Sequence, residues 1–315
     1  MEINYTVKEN NKTIKQILKE NLFISDKLLT FLKKNKLITL NNSSITNLNI
    51  YVTPNDVIIV NLDFEEDNSN IVPIEMNLDI LYEDESLLIL NKPVGIPVHP
   101  SILHYTNSLS NGVKYYFDTI NLKKKIRPVN RLDRNTSGIV IFAKNQYVQE
   151  CLIHQMQTKD FKKFYLAVIE GHLNKLEGTV NAPIARKENS IIERCIDKNG
   201  ENAITHYKVL EQNFERNYDL IECLLETGRT HQIRVHFSYI GHPLIGDTLY
   251  GNTSTYINRQ ALHAYKVEFI HPITNKHMQF TADLPLDILV LLKEEIIERM
   301  NDDEFVSEDE VEKKS

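Results

Sequence analysis

Residues 130–138 read NRLDRNTSG, which sets one carboxylate, Asp133, between Arg131 and Arg134 and closes with a Thr-Ser-Gly turn. Two chemistries fit such an acid. An ionised carboxylate can act as a nucleophile or stabilise positive character at a reacting carbon; on a solvated loop it does no more than join an ion pair worth under ~1 kcal/mol. Two further stretches carry chemistry-bearing residues. In NKPVGIPVHPS, 91–101, four Pro and Gly residues hold Lys92 and His99 in a stiff, extended segment. In LLETGRTHQIRVHFSYIGHPLIGDTLYG, 224–251, Thr230 is positioned to cap a short helix with apolar face Ile233, Phe237 and Ile240, ended by Gly241 and Pro243. Arg229 and Arg234 then fall near the positive end of that helix, where cations are disfavoured unless they face an anion such as a phosphate or a carboxylate. Asp133 is a candidate partner for Arg234, and a purely structural ion pair is the alternative. No HExxH or comparable spacing occurs among the eleven histidines, so no metal site is expected. Neither GxGxxG nor GxxxxGK[ST] is present, so no nucleotide-cofactor cradle is expected.

These loops need a scaffold, and the apolar patterning supplies one. Strands are expected at 79–82, 87–91, 138–143, 163–170, 204–211 and 219–226, with helices near 146–157 and 286–299. The irregular mixture argues for an α+β catalytic domain with a mixed, largely antiparallel sheet rather than a Rossmann fold. Ahead of it, Ile14, Ile17 and Leu18, then Leu28, Leu29 and Leu32 after Ser25-Asp26, mark two short amphipathic helices. LITLNNSSITNL and VTPNDVIIV follow as a small strand unit. The expected organisation is a small αα-β domain at 1–62, a linker at 63–77, a catalytic domain at 78–300 and an acidic tail at 301–315, disordered for want of apolar residues.

Composition narrows the class. The chain has 315 residues, 42% apolar and 25% charged, as in ordinary globular proteins. No apolar run approaches the ~20 residues of a membrane span, and MEINYTVKEN lacks a signal-peptide core, so a cytoplasmic protein with no membrane partner is expected. Cys151, Cys195 and Cys223 suit neither a disulfide framework nor a metal site and are expected as free thiols. The net charge of −7 is unevenly spread. The tail carries seven acids against two lysines, whereas 12–45 balances at +5, Lys33 and Lys34 among its lysines, and 120–165 at +7. Two basic stretches in a near-neutral body fit a polyanionic partner.

The motifs KPVGIPVHP, RLDRNTSG, KKFYLAVIEG and GRTHQIRVHFSYIGHPLIGDTLYG, with QALHAYKVEFIHP at 260–272, resemble in kind and order the RluA-type pseudouridine synthases, over about 78–285. The N-terminal stretch resembles the S4 RNA-binding module, with Asn55 where glycine is typical. A second departure is Asn130, where histidine commonly precedes Arg-Leu-Asp. The resemblance implies that Asp133 is the catalytic aspartate, Tyr165 the active-site tyrosine, Arg234 the basic partner of the aspartate, and Arg131 the side chain that fills the gap left by a flipped uridine. Lys92, Lys144, Lys162, Arg229, Lys33 and Lys34 are candidates for phosphate contact. The implied reaction converts uridine to its C-glycoside isomer in structured RNA, with large-subunit ribosomal RNA the first candidate and transfer RNA the second. It needs no cofactor, because there is no redox change and no added group, and a monomer suffices. The alternative reading is an RNA-binding or RNA-remodelling protein without catalysis. A carboxylate aimed at a polyanion benefits only the enzyme.

Overall fold

The computed structural model describes residues 1–101 and 104–292. At its start Leu28, Leu29 and Leu32 bury one face of a helix whose first turn is capped by Ser25, the hydroxyl accepting from the Leu28 amide at 3.2 Å. The elements of this module are β1 (Glu2–Thr6), β2 (Lys12–Thr13), α1 (Ile14–Gln16, continued by a π turn to Asn21), α2 (Asp26–Lys34), β3 (Ile38–Leu40), β4 (Ser43–Ser44), β5 (Tyr51–Val52) and β6 (Val57–Asn61). One small sheet runs β1-β6-β3-β4, with Ile58 and Val60 turned fully inward. Asn55 adopts φ 76°, the left-handed conformation that glycine usually supplies and asparagine tolerates.

The larger part follows as β7 (Ile80–Glu83), β8 (Leu87–Lys92), α3 (Leu109–Thr119), β9 (Ser137–Ala143), α4 (Gln146–Thr158), β10 (Lys162–Glu170), β11 (Glu177–Asn181), β12 (Ile184–Arg186), β13 (Arg194–Ile196), β14 (Ile204–Asn213), β15 (Tyr218–Leu225), α5 (Gln232–Tyr239), β16 (Leu262–Ile270), β17 (His277–Thr281) and α6 (Leu286–Leu289). This is the mixed α+β architecture expected. Of the helix expected at 286–299, residues 286–289 are helical and 290–292 form a turn; the remainder, and the acidic tail, lie outside the described residues. Helix α3, strand β11, the β12–β13 hairpin and strands β16 and β17 were not expected.

The chain divides into two compact units: Met1–Arg134, Ile139–Lys163 and Lys266–Thr281 form the first, and Asn135–Gly138, Phe164–Tyr265 and the residues from Ala282 the second. In unit one β7 and β8 pair antiparallel, β9 follows β8 in the sheet, and Leu88, Leu90, Val113, Phe117, Val140 and Phe142 form the core. The N-terminal module belongs to this unit and packs on α4: Ser25 donates to Glu150 at 2.7 Å, and Phe23 stacks on His154. Residues 62–77 form no helix or strand. Their acids pair with the basic run that follows α3, Glu65 with Lys123, Asp63 with Lys124, and Glu66 with Arg127, the last at 2.6 Å.

In unit two the strands lie in the order β11-β14-β15-β10-β16, antiparallel where β11, β14, β15 and β10 meet. The start of β9 pairs with β16 in parallel, Ser137 opposite His263 and Gly138 opposite Ala264. That approach requires glycine. At φ 111° a side-chain carbon on Gly138 would lie 2.2 Å from the Ala264 carbonyl oxygen. His263 is buried, its Nε2–H donating to the Ala282 carbonyl at 3.1 Å while Nδ1 accepts from the Ser137 hydroxyl at 2.9 Å. Burial pushes its pKa down to about 4, and the Arg259 charge acts in the same direction.

A folded-state pKa below the ordinary value of about 6.5 means that the unfolded chain binds the extra proton first as pH falls. His263 therefore contributes stability that is present above pH ~6.5 and is lost as pH drops toward 4. Unfolding free energies from urea titrations between pH 7 and 4.5 should fall further for the native chain than for His263→Gln, by about 2 kcal/mol; parallel curves would contradict the neutral, doubly bonded ring.

Candidate active site

Lys92, the last residue of β8, is fully buried. Its ammonium donates to the carbonyl oxygens of Pro93 at 2.7 Å, Ile96 at 2.9 Å and Arg134 at 3.1 Å. The Arg134 carbonyl also accepts the Gly95 amide at 3.0 Å. The stiff Pro-Gly segment thus wraps over the lysine and the lysine holds the residue after Asp133. On the other side of Asp133, Leu132 packs against the core of unit one. Two residues further back, Asn130 is buried and replaces a pair of strand hydrogen bonds: its side-chain amide donates to the Ile139 carbonyl and its oxygen accepts from the Ile141 amide, both at 2.9 Å. The hydrogen bonding that an Asn in place of His left open is therefore complete, made to the backbone of β9. Asp133 stands half-buried between these anchors, and Arg131 and Arg134 are exposed. Arg131 lies close enough to His99 that its charge, after burial, lowers the histidine pKa.

The remainder of the loop, 135–138, is held inside unit two. Arg259 donates to the Asn135 carbonyl at 3.1 Å and forms a two-bond ion pair with Asp287 at 2.6 and 2.8 Å. Gln260 donates to the Thr136 hydroxyl at 3.2 Å. The stretch QALHAYKVEFIHP, matched in sequence without a role, thus supplies Gln260 and His263, and Arg259 immediately precedes it; together they hold the second half of the NRLDRNTSG loop.

Tyr165 is a buried residue of β10, opposite Cys223 on β15, and Arg234 is a buried residue of α5; both belong to unit two, Asp133 to unit one. Thr230 does not cap α5. The N-cap is His231, at φ 59° and with no side-chain cap bond. Gln232 organises the turn instead, accepting from the Arg229 amide at 3.0 Å and the Thr227 hydroxyl at 2.8 Å while donating to the Ile204 carbonyl at 2.9 Å. The anion that faces Arg234 within unit two is Asp247, a residue that sequence reasoning passed over. Arg234 Nε and Nη2 reach the two Asp247 oxygens at 2.7 and 2.8 Å, and the carboxylate, itself buried, also accepts the amides of Leu249 and Tyr250. The Tyr250 ring lies 5.1 Å from the guanidinium carbon. Asp247 and Tyr250 therefore set the direction of the arginine.

The phosphate-contact expectations need correction at two positions. Lys92 is consumed by the carbonyls described above, and Lys144 is buried with its ammonium on Glu83 at 2.6 Å and on the Asp84 carbonyl. Neither is presented to solvent. Lys162 is half-exposed but paired with Glu268 at 3.3 Å, and Arg229 is exposed and paired with Glu201. Lys33 and Lys34 are exposed at the end of α2. Among the described residues no group of three or more His, Cys, Asp or Glu side chains could hold a metal, and no helix is long and apolar enough to cross a membrane.

Comparison with known proteins supplies the family. The family model described as RNA pseudouridylate synthase matches residues 86–239, and that described as the RluD ribosomal pseudouridine synthase N-terminal domain matches residues 1–58. The uncharacterized RNA pseudouridine synthase YhcT of Bacillus subtilis is 39% identical over 288 residues, covering 91% of this chain and 95% of that protein. The ribosomal large subunit pseudouridine synthase D of Zymomonas mobilis is 39% identical over 244 residues, covering 73% of this chain and 76% of its own. Among solved structures, human RNA pseudouridylate synthase domain containing 1 is similar with a TM-score of 0.55 at 27% identity, covering 66% of this chain and 84% of that one. With such similarity along most of its length, the chain belongs to the RluA family of RNA pseudouridine synthases and is an isomerase.

Proposed function

We propose that the protein isomerises specific uridines in structured RNA, that large-subunit ribosomal RNA is the substrate, and that Asp133 performs the chemistry. The observation that carries the reading is the fixation of the NRLDRNTSG loop, in which a half-buried carboxylate is flanked by the Asn130 bonds on one side and the Lys92-bound Arg134 carbonyl on the other. A loop ion pair needs no such support. Large-subunit RNA is favoured because relatives covering most of this chain bear the name ribosomal large subunit pseudouridine synthase D.

The reaction breaks the bond from N1 of uracil to C1′ of the ribose, turns the base and joins C5 to C1′; C5 loses a proton and N1 gains one. Asp133 attacks C1′ or C6 as a nucleophile, or stabilises positive character at the sugar. A second carboxylate is not required, since the departing uracil is a delocalised anion that stays bound. Arg234 is assigned to keep the carboxylate ionised and oriented, and its own direction comes from Asp247. Tyr165 is assigned as the flat surface for the base, with a hydroxyl able to assist removal of the C5 proton. Arg131, exposed beside Asp133, is assigned to the stack vacated by the uridine, whose extrusion costs a few kcal/mol.

Asp133→Asn should reduce pseudouridine formation by about a thousandfold or more while RNA affinity stays within roughly twofold. Tritium release from RNA labelled at uridine C5 measures the first, and undiminished release would remove Asp133 from the chemistry. Release of free uracil by the native chain would instead identify a hydrolase. Arg131→Ala should slow turnover about tenfold more on a duplexed target than on an unstructured one; equal losses would argue against the stack-filling role. Asp247→Asn should lower kcat by roughly 10- to 100-fold with RNA affinity retained and the circular dichroism spectrum unchanged, whereas an unchanged kcat would show that Arg234 does not depend on it.

A further inference from the structure

Unit two contains a cavity of about 360 Å³ at the stem of the β12–β13 hairpin, whose lining includes Arg186, Arg194, Arg229, Glu201, Gly200 and Thr230. Three guanidinium groups share it with one carboxylate. Two of them are Arg186 and Arg194, which lie directly opposite each other in the hairpin register and so project from the same face. Like charges in that relation destabilise a pair of strands, and a two-stranded hairpin has little stability to spare. Arg229 is paired with Glu201 and donates to the Asn202 carbonyl at 3.0 Å, and Arg194 donates to the carbonyls of Ile192 and Glu193. Arg186 is exposed, and among the described residues its side chain has no ion pair or hydrogen bond.

We propose that this notch binds a backbone phosphodiester of the substrate RNA, with Arg186 as the principal contact and Arg194 and Arg229 flanking it. The planar guanidinium fork matches phosphate oxygens, and an anion between Arg186 and Arg194 relieves their repulsion. The lining contains no aromatic ring on which a base could stack, so a backbone phosphate fits it better than a nucleotide. The notch also adjoins the arginine assigned to the reaction. The Arg194 amide donates to the Tyr250 hydroxyl at 2.8 Å, and the Tyr250 ring lies against Arg234. A phosphate held here belongs to the strand next to the target nucleotide. That placement rests on the proposed function; binding at the notch does not.

The test uses the full chain and a labelled transcript of large-subunit ribosomal RNA, with dissociation constants measured from 50 to 200 mM salt. Arg186→Ala should weaken binding roughly five- to tenfold at 100 mM and make the slope of log affinity against log salt shallower by about one. Its thermal midpoint should equal or exceed that of the native chain, because a like-charge pair is removed. Unchanged affinity and slope would overturn the proposal, as would a lowered thermal midpoint, which would make Arg186 a structural residue. Stabilisation of the native chain, but not of Arg186→Ala, by inorganic phosphate, together with unaltered RNA binding, would assign the notch to a free anion and overturn it too. Pseudouridine formation by the native chain is scored separately, so a catalytically silent protein that still shows the changed slope would sink the reaction and leave the notch standing.

Discussion

A carboxylate proposed to act on a nucleotide inside a polyanion would be repelled by its own substrate, so it has to be fixed before the RNA arrives. Holding a loop residue in one conformation costs about 1–2 kcal/mol of backbone entropy, and the loop from Asn130 to Gly138 is long. The offsetting interactions are buried ones. Lys92 is an ammonium without exposed surface, which is costly unless its protons are accepted, and three carbonyl oxygens accept them, one belonging to Arg134. Asn130 uses both ends of its amide on β9, and Arg259, Gln260 and His263 hold the residues from Asn135 to Ser137. None of these groups is assigned to touch the substrate. Lys92 and Asn130 fix the chain on either side of Asp133, and Arg259, Gln260 and His263 fix the residues that follow within unit two.

Charge is distributed by the same logic. A chain of net charge −7 serves an RNA substrate because local fields, not the total, guide a polyanion. Part of the basic stretch from 120 to 165 is neutralised by acids of the same unit. Lys123, Lys124 and Arg127 hold the acids of residues 63–66, and Lys144 holds Glu83. Among the cations that remain exposed are Lys33 and Lys34 on α2, Arg131 and Arg134 around Asp133, and Arg186 on the hairpin.

Local patterns were readable in advance and non-local ones were not. Leu28, Leu29 and Leu32 announce α2 because helical period and cap lie within one turn of chain. Helix α3 was invisible because Ser110, Asn111 and Gly112 occupy its buried face. Ser110 bonds the Val98 carbonyl, Asn111 completes a capping box with Ser108, and Gly112 leaves room for Met76. The β12–β13 hairpin escaped notice because its strands are three residues each, joined by a seven-residue loop without strand alternation. Thr230 has the chemistry of a cap, but the buried Gln232 takes over the turn through contacts to residues 204, 205 and 227, a competition that spacing alone does not display. Lys92 and Lys144 read as candidates for phosphate contact because the groups that bury them, the Arg134 carbonyl for Lys92 and Glu83 with the Asp84 carbonyl for Lys144, come from other segments. Asp133 was singled out by its motif, whereas the groups that hold its loop and the Arg234–Asp247 pair became apparent only with the fold.

The most direct test of the central claim is a pseudouridine map of large-subunit ribosomal RNA from cells lacking this gene, complemented with the native chain or with Asp133→Asn. The expected result is that one or more uridines lose the modification on deletion and regain it with the native chain alone. An identical map in all strains, or restoration by Asp133→Asn, would contradict the assignment of this protein as an aspartate-dependent modifier of ribosomal RNA.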